Sequence, residues 1–331
     1  MSDRNVNEFT ELVDLAAARL GGGVIHANDE FFAPKESLVL ESAPVFIEGK
    51  YTERGKWMDG WETRRRREPG YDWAIIRLGV PGVAKGIVVD TSFFRGNYPE
   101  SCSIEGCTLP GVPAAGALEK AKWFELLTKS QLQGDSCNHF AIASDRIVTH
   151  LRLNIFPDGG VARLRVHGVV MPDWERLKTR GQVDLAAVEH GGRVISASDM
   201  FFGHRHNLIM PGRGTHMGDG WETKRRRGPG NDWVVVRLGH AGTIERIVVD
   251  TIHFKGNAPG SCSLEACHAD GDDDTAPENG WRRLLAQTPL QPDALHTFED
   301  ELSDVGTATH VRLNIFPDGG VSRLRVFGRV R

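Results

Sequence analysis

The sequence predicts an all-β protein made of two tandem jelly-roll β-sandwich domains related by internal duplication. Three observations lead there. First, the chain repeats itself: residues 59–63 (DGWET) return as 219–223, a shift of 160. At that shift residues 150–168 return as 310–328 with 16 of 19 positions identical, and residues 85–107 as 245–267 with 14 of 23. A period this long is a whole domain rather than a solenoid unit. Second, apolar residues recur in short runs, often alternating with polar ones, as strands with one buried face require. Third, glycine and proline separate these runs, and helical spacing is scarce.

Along the chain, residues 8–19 place Leu12, Leu15 and Ala16, with Leu20 just beyond, at helix-like spacing and predict a short N-terminal helix. Residues 73–78 (WAIIRL), 233–238 (WVVVRL), 86–91 and 246–251 predict short strands. In 150–155, Leu151, Leu153 and Ile155 alternate with His150, Arg152 and Asn154. Turn chemistry follows at 157–160 (PDGG), and in 161–167 Ala162, Leu164 and Val166 oppose Arg163 and Arg165. Strand, turn and strand predict a hairpin, twice.

The first domain is placed at 1–171, a linker at 172–182 within a polar stretch, and the second domain at 183–331. DLAA at 14–17 matches DLAA at 184–187 with a shift of 170, not 160. The first copy therefore carries about ten extra residues in or near 34–54, expected in a surface loop. Residues 269–279 (ADGDDDTAPEN) form an acidic, turn-rich loop with no chemical signature.

Length fits two domains of ordinary size, each with its own core. With 40% hydrophobic and 25% charged residues, a net charge of −4 and a pI near 6.4, no general field for nucleic acid exists. No apolar run approaches the ~18 residues that cross a membrane, and the opening residues lack a secretory pattern. Among the five cysteines, Cys102 and Cys107 have twins in Cys262 and Cys267, and Cys137 stands alone. A reduced, cytoplasmic protein is expected, without nucleic-acid or membrane partners and as a homo-oligomer.

Chemistry concentrates in 59–67 (DGWETRRRR) and its twin 219–227 (DGWETKRRR). Each offers two carboxylates, a tryptophan and several cations. Glu62 and Glu222 can move protons, while Arg64, Arg66, Lys224 and Arg226 can hold a carboxylate, with Asp59 and Asp219 binding N–H groups. The same run can instead pair with acidic groups outside a sheet, strand alternation sending two arginines to each face. Residues 93–97 (FFRGN) match 253–257 (HFKGN), so Asn97 and Asn257 are twins, whereas the second copy holds His253 and Lys255 for Phe93 and Arg95. His253 is a candidate acid or base near neutral pH. Asp90 and Asp250 suit loop capping. The set Arg152, Asn154, Asp158, Arg163 and Arg165, repeated as Arg312, Asn314, Asp318, Arg323 and Arg325, suits cross-strand networks. His204 and His206, with His216, have spacing that could ligate one divalent metal per chain; otherwise no cofactor is expected, and no phosphate loop or nucleophile elbow occurs.

The duplicated DGWET(R/K)RRR, the VDT-x-x-F-x-GN-x-P-x-SCS-x-E-x-C stretches and the paired RLNIFPDGG-V-x-RLRV segments resemble the allantoicase family. The resemblance runs from about Leu15 to Val330 in both repeats. It implies two jelly-roll domains of the galactose-binding, discoidin-like kind, and hydrolysis of allantoate to ureidoglycolate and urea in purine breakdown. Urea leaving intact means that the broken bond joins the central carbon to a ureido nitrogen. No acyl-type nucleophile is then required. On this reading Glu222 or Glu62 is the base, His253 the acid, and Lys255 or a motif arginine the carboxylate clamp. The two sites can be equivalent, unequal or shared between domains. The alternative is a non-catalytic module binding a sugar-like ligand, since fold does not fix function.

Overall fold

The computed structural model describes residues 8–111, 113–269 and 275–331, apart from the side chain of Ala115. The middle of the acidic loop at 269–279 lies outside the described residues. The chain divides after Met171 into two compact units, each centred on an eight-stranded sheet system.

In the first unit the strands expected at 73–78 and 86–91 are the two ends of one 19-residue strand, Asp72–Asp90. Its first half pairs with Gly23–Ala27 and Ile147–Phe156, and its second half with Cys137–Ala141 and Arg163–Val170. One bent strand thus serves both layers of the sandwich. The bend passes Gly82, where a Cβ would lie 2.6 Å from the Val169 carbonyl oxygen; only glycine allows that approach. Ser101–Cys107 and Phe124–Gln131 extend the first layer, and Val13–Asp14 edges the second.

This topology corrects the expected hairpin. Ile147–Phe156 and Arg163–Val170 each pair with the long strand, not with each other. The loop at 157–162 carries the chain from one layer to the other, after a cis Phe156–Pro157 bond. Both strands bury one face on the shared core, where Leu151, Leu153, Leu164 and Val166 are all fully buried. Their alternation reads the same whichever strand is the neighbour. The second unit repeats the arrangement around Asp232–Asp250.

The expected N-terminal helix is a second correction. Glu8–Glu11 and Ala18–Leu20 are single 3-10 turns separated by the strand Val13–Asp14. Asp14 Oδ1 accepts from the backbone N–H groups of Ala16 and Val166 at 3.1 and 2.9 Å, tying the chain to the sheet edge. Leu15 and Ala16 are buried as expected, but from a loop, and Leu20 from the second 3-10 turn; Leu12 is only half-buried. Within 172–182 the chain forms a short helix, Trp174–Lys178, capped by Asp173.

The extra length of the first copy is now located. Val45 N–H donates to Asp59 Oδ2, and Thr215 N–H donates to Asp219 Oδ2, across 14 and 4 residues respectively. The ten residues between form a hairpin built on Tyr51–Thr52 and Gly55–Lys56.

His150 and His310 sit buried in twin positions, each with Nδ1 bonded to the preceding threonine hydroxyl at 2.9 Å and Nε2 unpartnered. Burial, with Arg77 nearby, pushes His150 down from its ordinary value; burial, with Arg237 and His268, pushes His310 down to about 4. Their folded-state values lie below the unfolded ~6.5, so this stability is full above pH 6.5 and lost as pH falls towards 4. The expected cost at pH 4.5 is about 2–3 kcal/mol for His310 alone. Denaturant midpoints at pH 7.5 and 4.5 check this. A His150→Gln/His310→Gln chain should lose less across that interval.

Candidate active site

The motif strands Trp61–Glu62 and Trp221–Glu222 are only two residues long. Each pairs with a two-residue strand after the PDGG loop, Gly160–Val161 or Gly320–Val321. Trp61 and Trp221 are fully buried, and their indole N–H groups donate to the carbonyls of Asp29 and Asp199 at 2.7 and 2.8 Å. With the tryptophans anchored inward, alternation turns Glu62 and Glu222 outward.

Each glutamate meets its asparagine. Asn97 Nδ2 donates to Glu62 Oε1 at 2.7 Å, and Asn257 Nδ2 donates to Glu222 Oε1 at 2.5 Å. Burial raises the Glu62 carboxyl above the usual range, only partly offset by the Asn97 bond. The asparagines are placed by backbone: Gly160 N–H donates to the Asn97 carbonyl at 2.8 Å, and Gly320 N–H to the Asn257 carbonyl at 2.9 Å. A Cβ on Gly160 would lie 1.9 Å from the Phe94 ring, so this packing demands glycine. At the start of each asparagine loop Phe93 and His253 adopt left-handed φ of 70° and 76°. Such strain persists only when its surroundings fix it. Here Asp135 and Asp293 accept their backbone N–H groups at 2.8 Å.

The remaining candidates separate by their partners. Asp59 and Asp219 form ion pairs with Arg163 and Arg323 at 2.8 and 3.0 Å, and these arginines are 1% and 2% exposed. Arg66 and Arg226 are bound to the buried Asp72 and Asp232 at 2.5 Å, with their backbone N–H groups on Asp158 and Asp318. All four candidates thus have charged partners within the protein, and Arg66 and Arg226 also line clefts along the motif runs.

Arg64 and Lys224 are exposed. They lie two residues beyond the glutamates and pair with Asp29 and Asp199 at 2.7 and 3.3 Å. The motif runs line twin clefts of about 610 and 400 Å³. Arg65, Arg67, Arg225 and Arg227 stand exposed along them, and the four cations of each run line one and the same cleft; the expected two-and-two division fails because 63–67 is not strand and has no alternation to impose. Lys255 meets Asp293 only at 3.9 Å and is mostly exposed.

His253 donates from Nε2 to the Gly214 carbonyl at 2.9 Å. That bond ties the ring to the loop before the motif. Asp90 and Asp250 cap their loops, each accepting from the N–H two residues on at 2.8 Å. Arg152 and Asn154 bond Glu105 across strands, as Arg312 and Asn314 bond Glu265. His206 Nε2 faces the Val194 carbonyl at 3.3 Å, its ring 4.7 Å from that of His204. Among the described residues no group of three or more His, Cys, Asp or Glu could hold a metal ion.

Sequence reasoning missed Asp29 and Asp199, which bind both the indole and the following cation. It also missed the paired phenylalanines Phe31–Phe32 and Phe201–Phe202. Their signal was present at the 170 shift, where D-x-F-F recurs.

Comparison with known proteins agrees with this doubled arrangement. A family model described as an allantoicase repeat matches residues 13–171 and again 183–331. The chain is 52% identical over 326 residues to a "Probable allantoicase" of Pseudomonas fluorescens strain SBW25, covering 97% of each chain. It is 52% identical over 325 residues to one of Pseudomonas aeruginosa strain LESB58, again covering 97% of each. A crystal structure of allantoicase from Saccharomyces cerevisiae superposes with a TM-score of 0.82 at 36% identity, covering 99% of this chain and 98% of that one. The chain belongs to the allantoicase family.

Proposed function

We infer that the chain hydrolyses allantoate to ureidoglycolate and urea, a cleavage of a C–N bond in purine breakdown. The observation that carries this is the match of both repeats to the allantoicase repeat over nearly the whole chain. The geometry supports it with a half-buried carboxyl bonded to an amide, and an exposed cation two residues further along the chain, twice. A non-catalytic sugar-binding role has no comparable support.

Allantoate carries one carboxylate, two ureido arms and one hydrogen on its central carbon. In our proposal Arg64 or Lys224 binds the carboxylate, a charge-assisted contact. Asn97 or Asn257 holds the glutamate and leaves its second oxygen for substrate. Glu62, or its twin Glu222, acts as the acid and gives a proton to the nitrogen of one ureido arm. The bond from that nitrogen to the central carbon breaks, and urea leaves. The lone pair of the remaining ureido nitrogen forms a C=N bond to that carbon. Water then adds to the carbon, and the carboxylate takes one of its protons back. One water is consumed, and the glutamate returns to its starting form. Burial of Glu62 helps it carry a proton nearer neutral pH.

None of these steps calls on a metal. The reading includes a cytoplasmic location and a homo-oligomeric assembly, with no nucleic-acid or membrane partner. No helix among the described residues is long and apolar enough to cross a membrane. Incubation with allantoate and assay of urea tests the reaction directly; no release above the spontaneous rate would refute it.

His253 serves in this proposal as a loop anchor rather than the acid. His253→Phe, which copies the first repeat, should keep turnover within about threefold and leave the pH profile unshifted, since a proton-transfer partner would be worth 10²–10⁴. A hundredfold loss, or loss of one limb of the profile, would restore it as the acid.

A further inference from the structure

The two repeats share their glutamate–asparagine pair but differ beside it. In the second repeat Phe201 and Phe202 are 70% and 63% exposed. Their twins form the same edge-to-face pair, with centroids 5.1 Å apart against 4.8 Å. Yet Phe31 is 39% exposed and Phe32 half-buried.

The cause is the inserted hairpin. Its Gly55 faces the Phe32 ring, which a Cβ there would meet at 3.6 Å, and Arg54 donates from Nη1 to the Phe31 carbonyl at 3.0 Å. At its other end Phe46 stacks on Phe93, with centroids 5.9 Å apart, and Lys56 lies 4.6 Å from the Phe46 ring. The hairpin therefore touches both loops that flank Glu62. One supplies Phe32 and Ala33, whose N–H groups donate to the Glu62 carbonyl, and the other supplies Asn97.

Two guanidiniums meet at Phe31. Arg54 lies 5.3 Å and Arg64 5.4 Å from its centroid. The side chain of Arg54 is held by its carbonyl bond, and that of Arg64 by Asp29. The second repeat holds Lys224 in the place of Arg64 and lacks the ten-residue insertion that carries Arg54.

We propose that Arg54, delivered by the inserted hairpin, acts with Arg64 to bind the carboxylate and a ureido carbonyl of the substrate, making the first repeat the tighter of two unequal sites. This rests on the allantoate reading. Guanidinium forks suit planar oxygen pairs better than a lysine point charge does, and the Phe31 ring brings both to one place.

Calorimetric titration of allantoate into the Glu62→Gln/Glu222→Gln chain is the test. Two sites per chain are expected, with dissociation constants at least tenfold apart. Adding Arg54→Ala should weaken the tighter site about tenfold or more and leave the weaker unchanged; circular dichroism confirms the fold. Removing residues 46–55, which gives the first repeat the loop length of the second, should do the same. A single class of sites, or a tight class untouched by both changes, would overturn the inference. Urea release by the unaltered chain tests the underlying reading separately.

Discussion

Replacing both Glu62 and Glu222 with glutamine is expected to lower urea release by ~10²–10⁴, the usual worth of a positioned proton donor. That is about 3–5 kcal/mol of barrier. Glutamine keeps an oxygen that can accept from Asn97 or Asn257, at the positions where Glu62 and Glu222 now accept at 2.7 and 2.5 Å. The fold should therefore survive, and the thermal midpoint should move by only a degree or two. Single replacements separate the halves. At saturating allantoate each should leave the rate of the other site. At low allantoate Glu62→Gln should remove more than Glu222→Gln, because the first repeat is the tighter site. Steady-state urea assays on the three chains check this. Wild-type rates in the folded double variant would remove the carboxylates from the reaction.

Asp59→Ala is expected to act on stability instead. Arg163 is 1% exposed, and Asp59 is its carboxylate partner at 2.8 Å. The same guanidinium donates to the carbonyls of Ser42, Asp59 and Ala162. Removing the carboxylate strands a buried charge, which costs about 3–5 kcal/mol. For a unit of this size that is a fall of about 10 °C in midpoint. The Val45 N–H also loses its acceptor, so the root of the hairpin loosens. Asp219→Ala should do the same to the second unit through Arg323 and Thr215. Differential scanning calorimetry reads both. A rise in KM without loss of midpoint would mean that these aspartates face substrate, as the sequence had suggested.

The residues explain what could be read in advance. Period and alternation survive any choice of strand partner, so the doubled β-sandwich was legible from Leu151, Leu153, Leu164 and Val166. Which strands pair was not, because a 19-residue strand with Gly79 and Gly82 inside reads locally as two strands and a turn. The N-terminal segment misled because Leu12, Leu15 and Ala16 have helical spacing, while Asp14 ties the backbone to Val166, far along the chain. Glu62 and Asn97 were both visible as twinned polar positions, but their contact spans 35 residues and no spacing announces it. The partners of Asp59, Arg66, Asp219 and Arg226 were equally hidden. Each depends on a buried partner that looks, in sequence, like any other charge.

The claim beneath all of this is that each glutamate reaches the scissile C–N bond of a carboxylate held by the neighbouring cation. A crystal structure of the Glu62→Gln/Glu222→Gln chain soaked with allantoate tests it most directly. The account expects density beside residue 62 or 222, with a ureido nitrogen within about 3.2 Å of the Gln side chain. The carboxylate should lie against Arg54 and Arg64, or against Lys224. Allantoate bound elsewhere, with both side chains out of its reach, would contradict it.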